Sequence, residues 1–172
     1  AYPAGADKDS KLAISGASTT KAGRSNSYIV TLTDKWGNAI KAATTIDVVQ
    51  DGAGYLTSNL TNLSSTTGKG NVTLITQPAD GGLATLTVTF DVASPDADLV
   101  ITKNILVGVS AVVAKKATSK VTVKNANGLT VKVVRGTKTV TKEATSDKFA
   151  VSLKGGTGSV KVYVEDILVA SK

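Results

Sequence analysis

The stretch Ala84-Thr-Leu-Thr-Val-Thr-Phe-Asp-Val92 constrains the fold more than any other. Ala84, Leu86, Val88, Phe90 and Val92 fall on one face, and Thr85, Thr87, Thr89 and Asp91 fall on the other. That alternation is the signature of a half-buried strand, whereas an amphipathic helix repeats about every 3.6 residues. The same alternation recurs in Ser27-Tyr-Ile-Val-Thr-Leu-Thr33, where Tyr28, Val30 and Leu32 oppose Ile29, Thr31 and Thr33. No stretch sustains a helical period, so the chain reads as all-β.

Turn chemistry separates the strands. Asp34-Lys-Trp-Gly-Asn38 follows the Tyr28 strand: Asp34 can hydrogen-bond forward to the turn backbone, and Gly37 or Asn38 can take a positive φ. Ala1 to Ser10, with Pro3 and Gly5, reads as an extended leader. Lys11–Ser15 is expected to be the first strand, followed by a loop rich in Gly, Ser and Thr to Asn26. Further strands are expected at Thr44–Val49, near Tyr55-Leu-Thr57, at Asn71–Thr76, at Ala84–Val92 and at Leu99–Val107. Asn59 to Gly70 reads as a long polar loop. Short strands at such spacings, with turns between them, predict an antiparallel sandwich.

At 172 residues the chain has room for one large β-domain or two smaller ones. Charge argues for two. Residues 1–110 carry eight Lys/Arg against nine Asp, a net of −1; residues 111–172 carry twelve Lys/Arg against four Asp/Glu, a net of +8. Gly108 to Ser119 reads as the connector, either extended or a single helical turn. Beyond it, Val121 and Val123, Leu129 to Val133, Phe149 to Leu153, and Val160 to Val164 alternate as strands. The runs Thr130–Lys142 and Ser159–Lys172 resemble each other: both place Val-Lys-Val before a tight turn and a returning strand. The second domain is expected to be two such hairpins joined by the Phe149 strand, with a small core. The expected organisation is thus two tandem immunoglobulin-like antiparallel β-sandwiches, 1–110 with its leader and 111–172, small and basic.

Three motifs resemble the bacterial immunoglobulin-like repeats of the invasin and intimin type. They are Val30-Thr-Leu-Thr-Asp-Lys-Trp-Gly-Asn-Ala-Ile40, Ser65-Thr-Thr-Gly-Lys-Gly-Asn-Val-Thr-Leu74 and Gly82-Leu-Ala-Thr-Leu-Thr-Val-Thr89. The resemblance covers roughly residues 10–107. The loop after Thr57 is longer than in the family pattern, and Lys41-Ala-Ala-Thr-Thr45 replaces the usual Gly-Ala-x-Val. The C-terminal hairpins look like the closing domains of large actinobacterial surface proteins. The resemblance implies a stalk, an adhesin spacer or a surface-layer subunit, with no active site belonging to the module.

The chain has no Cys, Met or His. Thiol and imidazole nucleophiles, the usual zinc ligand sets and disulfides are therefore excluded, and redox compartment stays open. No enzyme is expected. Asp7 with Asp9, and Asp96 with Asp98, are closely spaced carboxylates in turns; they are either calcium ligands or solvated turn residues, and no other cofactor is implied. Asn59-Leu-Thr61, Asn62-Leu-Ser64 and Asn71-Val-Thr73 are glycosylation sequons. Trp36, the only tryptophan, sits in a turn, where its ring either stacks on a sugar or packs across the sandwich end or onto a neighbouring domain; packing is the expectation.

The basic set of the second half includes Lys115, Lys116, Lys120 and Arg135. With one Arg and one Tyr in that half, nucleic-acid readout is poorly supported. An anionic cell-wall polymer, a glycan or the acidic face of another subunit fits better. An intramolecular Lys–Asn cross-link would need a buried acid, and the four acids of the second half all lie near turns. The longest apolar run, Ile105 to Ala114, is roughly half of a membrane-spanning helix, so this segment is not expected to cross a membrane. A chain opening at Ala1 without Met is expected to be processed or cut from something longer. The expected role is an exported, non-enzymatic subunit of a surface layer, filament or array. Its rivals are an adhesin or carbohydrate-binding module and a virion decoration protein.

Overall fold

In the computed structural model the described residues are 7–40, 44–92, 95–115 and 119–172; the side chain of Lys115 is not among them. They form sixteen strands, and no helix occurs among them. The first nine are β1 (Lys11–Ser15), β2 (Thr19–Thr20), β3 (Ser25–Thr33), β4 (Thr44–Gly52), β5 (Tyr55–Leu56), β6 (Leu60–Leu63), β7 (Lys69–Ile75), β8 (Gly82–Phe90) and β9 (Leu99–Val107). One sheet has the order β1-β3-β7-β5 and the other β2-β9-β8-β4-β6. Setting aside the edge strands β2 and β6, β1, β3, β7 and β5 are the first, second, fifth and fourth strands of an immunoglobulin sandwich. β4, β8 and β9 are its third, sixth and seventh.

The remaining seven strands are β10 (Ser110–Lys115), β11 (Lys120–Lys124), β12 (Thr130–Arg135), β13 (Lys138–Glu143), β14 (Lys148–Ser152), β15 (Val160–Val164) and β16 (Ile167–Ser171). They pair as β10-β11-β14 and β13-β12-β15-β16, a second antiparallel sandwich of immunoglobulin-like type.

Side-chain alternation decides which face of each strand is buried. In β3, Tyr28, Val30 and Leu32 are fully buried; in β8, Ala84, Leu86 and Val88 are. Ile46, Val48, Leu74 and the other buried aliphatics of these sheets complete the first core. Gly16 is required beside Tyr28: its φ is +144°, and a Cβ there would lie 2.4 Å from the Tyr28 ring. In the second sandwich Val121, Val123, Val131, Val133, Val160, Val162 and Val164 are completely buried.

Contact clustering divides the chain into two compact units that are not contiguous in sequence. One comprises 1–17, 24–76 and 84–104; the other comprises 18–23, 77–83 and 105–172. The second unit therefore takes in β2 and the start of β8 and end of β9. Leu106 belongs to its core, with Leu83 and Val109 packed against it. By sequence the first unit carries seven Lys/Arg against eight Asp, net −1, and the second thirteen against five Asp/Glu, net +8.

Three segments expected as loop or connector are extended. The polar stretch after Asn59 contains β6, whose Thr61 and Leu63 point inward. Thr61 is tolerated there because its hydroxyl donates to the carbonyl of Asn71 at 2.7 Å, which removes the cost of burying it. The expected connector contains β10, in which Val113 is buried while Val112 faces solvent; apolar residues on both faces hid the alternation. In the loop before Asn26, β2 pairs in parallel with β9 over two residues, too few to show any period. The Phe149 strand does follow one hairpin and precede the other, but β14 lies in the opposite sheet from both, paired with β11.

Candidate functional site

The Asp34 turn is built by one carboxylate. Asp34 Oδ1 accepts from the backbone N–H groups of Trp36 and Asn38, both at 2.9 Å, and Oδ2 accepts from Asn38 Nδ2 at 3.0 Å. Gly37 takes the positive φ, +89°. The Asn38 side-chain hydrogen bond holds the Asp34 carboxyl below the ordinary aspartate range against an opposing desolvation, and backbone hydrogen bonds from Asn38, Trp36 and Gly37 add to it. The turn presents Trp36 outward: 72% of its surface is exposed, and the Lys35 ammonium lies 4.5 Å from the ring centroid. The ring does not pack across the sandwich end, because the turn uses only the Trp36 backbone and leaves the side chain exposed.

The acidic pairs remain pairs. Asp7 Oδ1 accepts from Asp9 N at 2.9 Å and from the Ser10 hydroxyl at 3.2 Å, closing the turn before β1. Asp98 Oδ1 accepts from Val92 N at 3.1 Å, ahead of β9, and Asp96 is half-buried in the same turn. Among the described residues no three acidic side chains converge in a way that could hold a metal ion.

Of the basic residues singled out, Lys116 lies outside the described residues, and Lys115 is placed only as the last residue of β10. Lys120 is exposed at the start of β11. Arg135 is half-buried at the end of β12, and its Nη1 donates to the Ser119 hydroxyl at 3.4 Å, so this guanidinium braces its own sandwich. Sequence reasoning had no signal for that contact, which spans sixteen positions.

Two shallow recesses occur in the second unit. One, of about 190 Å³, is lined by Ala79, Gly81, Gly82, Asn125, Asn127 and Asp147. The other, of about 340 Å³, is lined by Val134, Gly136, Thr157, Gly158, Ser159 and Lys161. Each contains a single ionisable side chain, so neither supplies the acid–base pair that general acid–base chemistry uses. All three sequon asparagines, Asn59, Asn62 and Asn71, are exposed.

No protein-family model and no curated protein sequence matches this chain. Among solved structures, the chain is similar to the Yersinia pseudotuberculosis adhesin InvE at 14% identity and a TM-score of 0.39, over 95% of this chain and 57% of that one. It is similar to the surface-layer protein rSbsC(31–844) at 15% identity and a TM-score of 0.39, over 94% of this chain and 23% of that one. A third similarity is to the Escherichia coli adhesin FdeC, at 16% identity and a TM-score of 0.36, over 91% and 59% of the two chains. The chain thus spans well under two thirds of the length of each of these proteins.

Proposed function

We propose that this chain is a non-enzymatic structural part of a cell-surface protein, exported and acting by assembly into a layer, filament or array. The observation that carries the reading is the segregation of charge onto two β-sandwiches within one chain, net −1 and +8, which favours head-to-tail association of copies. An anionic wall polymer is a second partner for the basic unit. Calcium at Asp7 and Asp9 or at Asp96 and Asp98 would act between copies, where ligands from two chains can complete a coordination shell. Sedimentation velocity at rising concentration, with and without calcium, tests the assembly reading, and electron microscopy shows whether sheets or fibres form. A chain that stays monomeric throughout overturns it.

The exposed Trp36 ring favours a second reading, contact with a glycan as in an adhesin. A flat aromatic beside Asn38 and Asp34 offers stacking and hydrogen bonding together. Binding to a glycan array that is lost in Trp36→Ala supports it, and an array with no signal counts against it.

A further inference from the structure

The assembly reading leaves open which surfaces meet, and strand register supplies a candidate pair. On the solvent face of β4, Asp47, Val49 and Asp51 alternate with inward residues; all three are exposed, Val49 by 63%. Their cross-strand neighbours are uncharged: Leu60 and Thr89 flank Asp47, Thr87 lies opposite Val49, and Thr85 lies opposite Asp51. The face is therefore an apolar and threonine-rich strip with two carboxylates four residues apart on one strand.

The solvent face of β11 has the converse pattern. Lys120 and Lys124 are exposed at its ends, with Thr122 between them. Val112, 59% exposed, and Ala150 flank Thr122, while Lys148 lies beside Lys124. This face is an uncharged row bounded by ammonium groups. Among the described residues none of Asp47, Asp51, Lys120, Lys124 or Lys148 forms an ion pair, unlike Lys132, which pairs with Asp166.

The spacing matches because both pairs are four residues apart on a strand. At about 3.3 Å per residue, each pair of like charges is separated by roughly 13 Å. Each pattern is also symmetric about its centre, charge–uncharged–charge, so either relative strand direction superposes the charges.

We propose that the β4 face of one copy docks on the β11 face of another, with Asp47 and Asp51 opposite Lys120 and Lys124 and with Val49 and Val112 in the enclosed centre. The proposal rests on the assembly reading and specifies its surface. The contact is heterologous: one copy contributes its acidic face and the other its basic face. Complementary charge sets partner and orientation, and removing the apolar centre from water adds affinity.

The experiment is a charge-reversal cycle on the full chain. Sedimentation is compared for the wild type, Asp47→Lys with Asp51→Lys, Lys120→Glu with Lys124→Glu, and an equimolar mixture of the two double variants. Each double variant alone is expected to raise the dissociation constant at least about tenfold, since like charges then face each other. The mixture is expected to recover wild-type association, because both of its interfaces pair opposite charges again, and that recovery also shows that the variants are folded. Wild-type association that neither reversal weakens, or a mixture that fails to recover it, overturns this surface while leaving assembly standing. A wild type that never associates overturns the assembly reading and this surface with it.

Discussion

The two sandwiches reach the same architecture with different materials. The first uses long strands, four of them nine residues, and large core side chains: Tyr28, Leu32, Ile46, Leu74 and Leu86. The second uses strands of five or six residues and a core in which valine dominates. A small core buries less apolar area per side chain, so local turn geometry carries more of the specification there. The β15–β16 hairpin illustrates the point. Its two turn residues, Glu165 and Asp166, both have positive φ, +46° and +62°, where Asn-Gly is the usual choice. Glu165 accepts from Thr130 N at 2.6 Å, and Asp166 pairs with Lys132, whose ammonium lies 5.2 Å from the Tyr163 ring centroid. The backbone N–H of Thr130 and the side chain of Lys132, both on neighbouring β12, thus hold a backbone that its own residues disfavour.

The largest test of this contrast is in the cores. Leu86→Ala in the first sandwich is expected to cost about 2–5 kcal/mol, and Val162→Ala in the second about 1–3 kcal/mol, both read from denaturant unfolding. An equal or larger cost for the valine would show that core size is not what distinguishes the two.

A smaller effect separates backbone from ion pair in the hairpin. Asp166→Ala and Asp166→Gly both remove the carboxylate, but glycine accepts φ of +62° freely. The glycine variant is expected to be more stable than the alanine variant by about 1 kcal/mol in thermal unfolding. Equal stabilities would mean that the positive φ at this position does not strain the turn.

The smallest effect concerns the Asp34 turn, which is held by an exposed carboxylate in the first sandwich. Because the folded carboxyl titrates below its ordinary value, its contribution is complete above the unfolded pKa and is lost as pH falls through the lowered folded value. Asp34→Ala is expected to melt below the wild type at neutral pH and to converge with it in acid. A gap that stays constant with pH would remove the carboxylate's charge from the explanation.

Where a strand has one buried face, residue order alone was enough to locate it. β3, β7, β8, β12 and β15 were legible because alternate residues differ sharply in polarity. The Asp34 turn was legible because its chemistry is complete within five residues. β6 was not, because the polar residue it buries, Thr61, is satisfied by the carbonyl of Asn71, ten positions away. β10 was not, because its exposed face is also apolar.

For the candidate surfaces, residue type alone suggested Arg135 and Trp36 as contacts. The structure commits Arg135 to Ser119 and leaves the Trp36 ring exposed. Sequence by itself determined the strands whose period is local, the turn chemistry and the uneven distribution of charge. Tertiary structure alone decided which strands pair, how 18–23 and 77–83 join the second compact unit, and which lysines and aspartates share a face. The physical reason is range: alternation and turn preference act over a few residues. Register and burial depend on partners brought together only when the sheets stack.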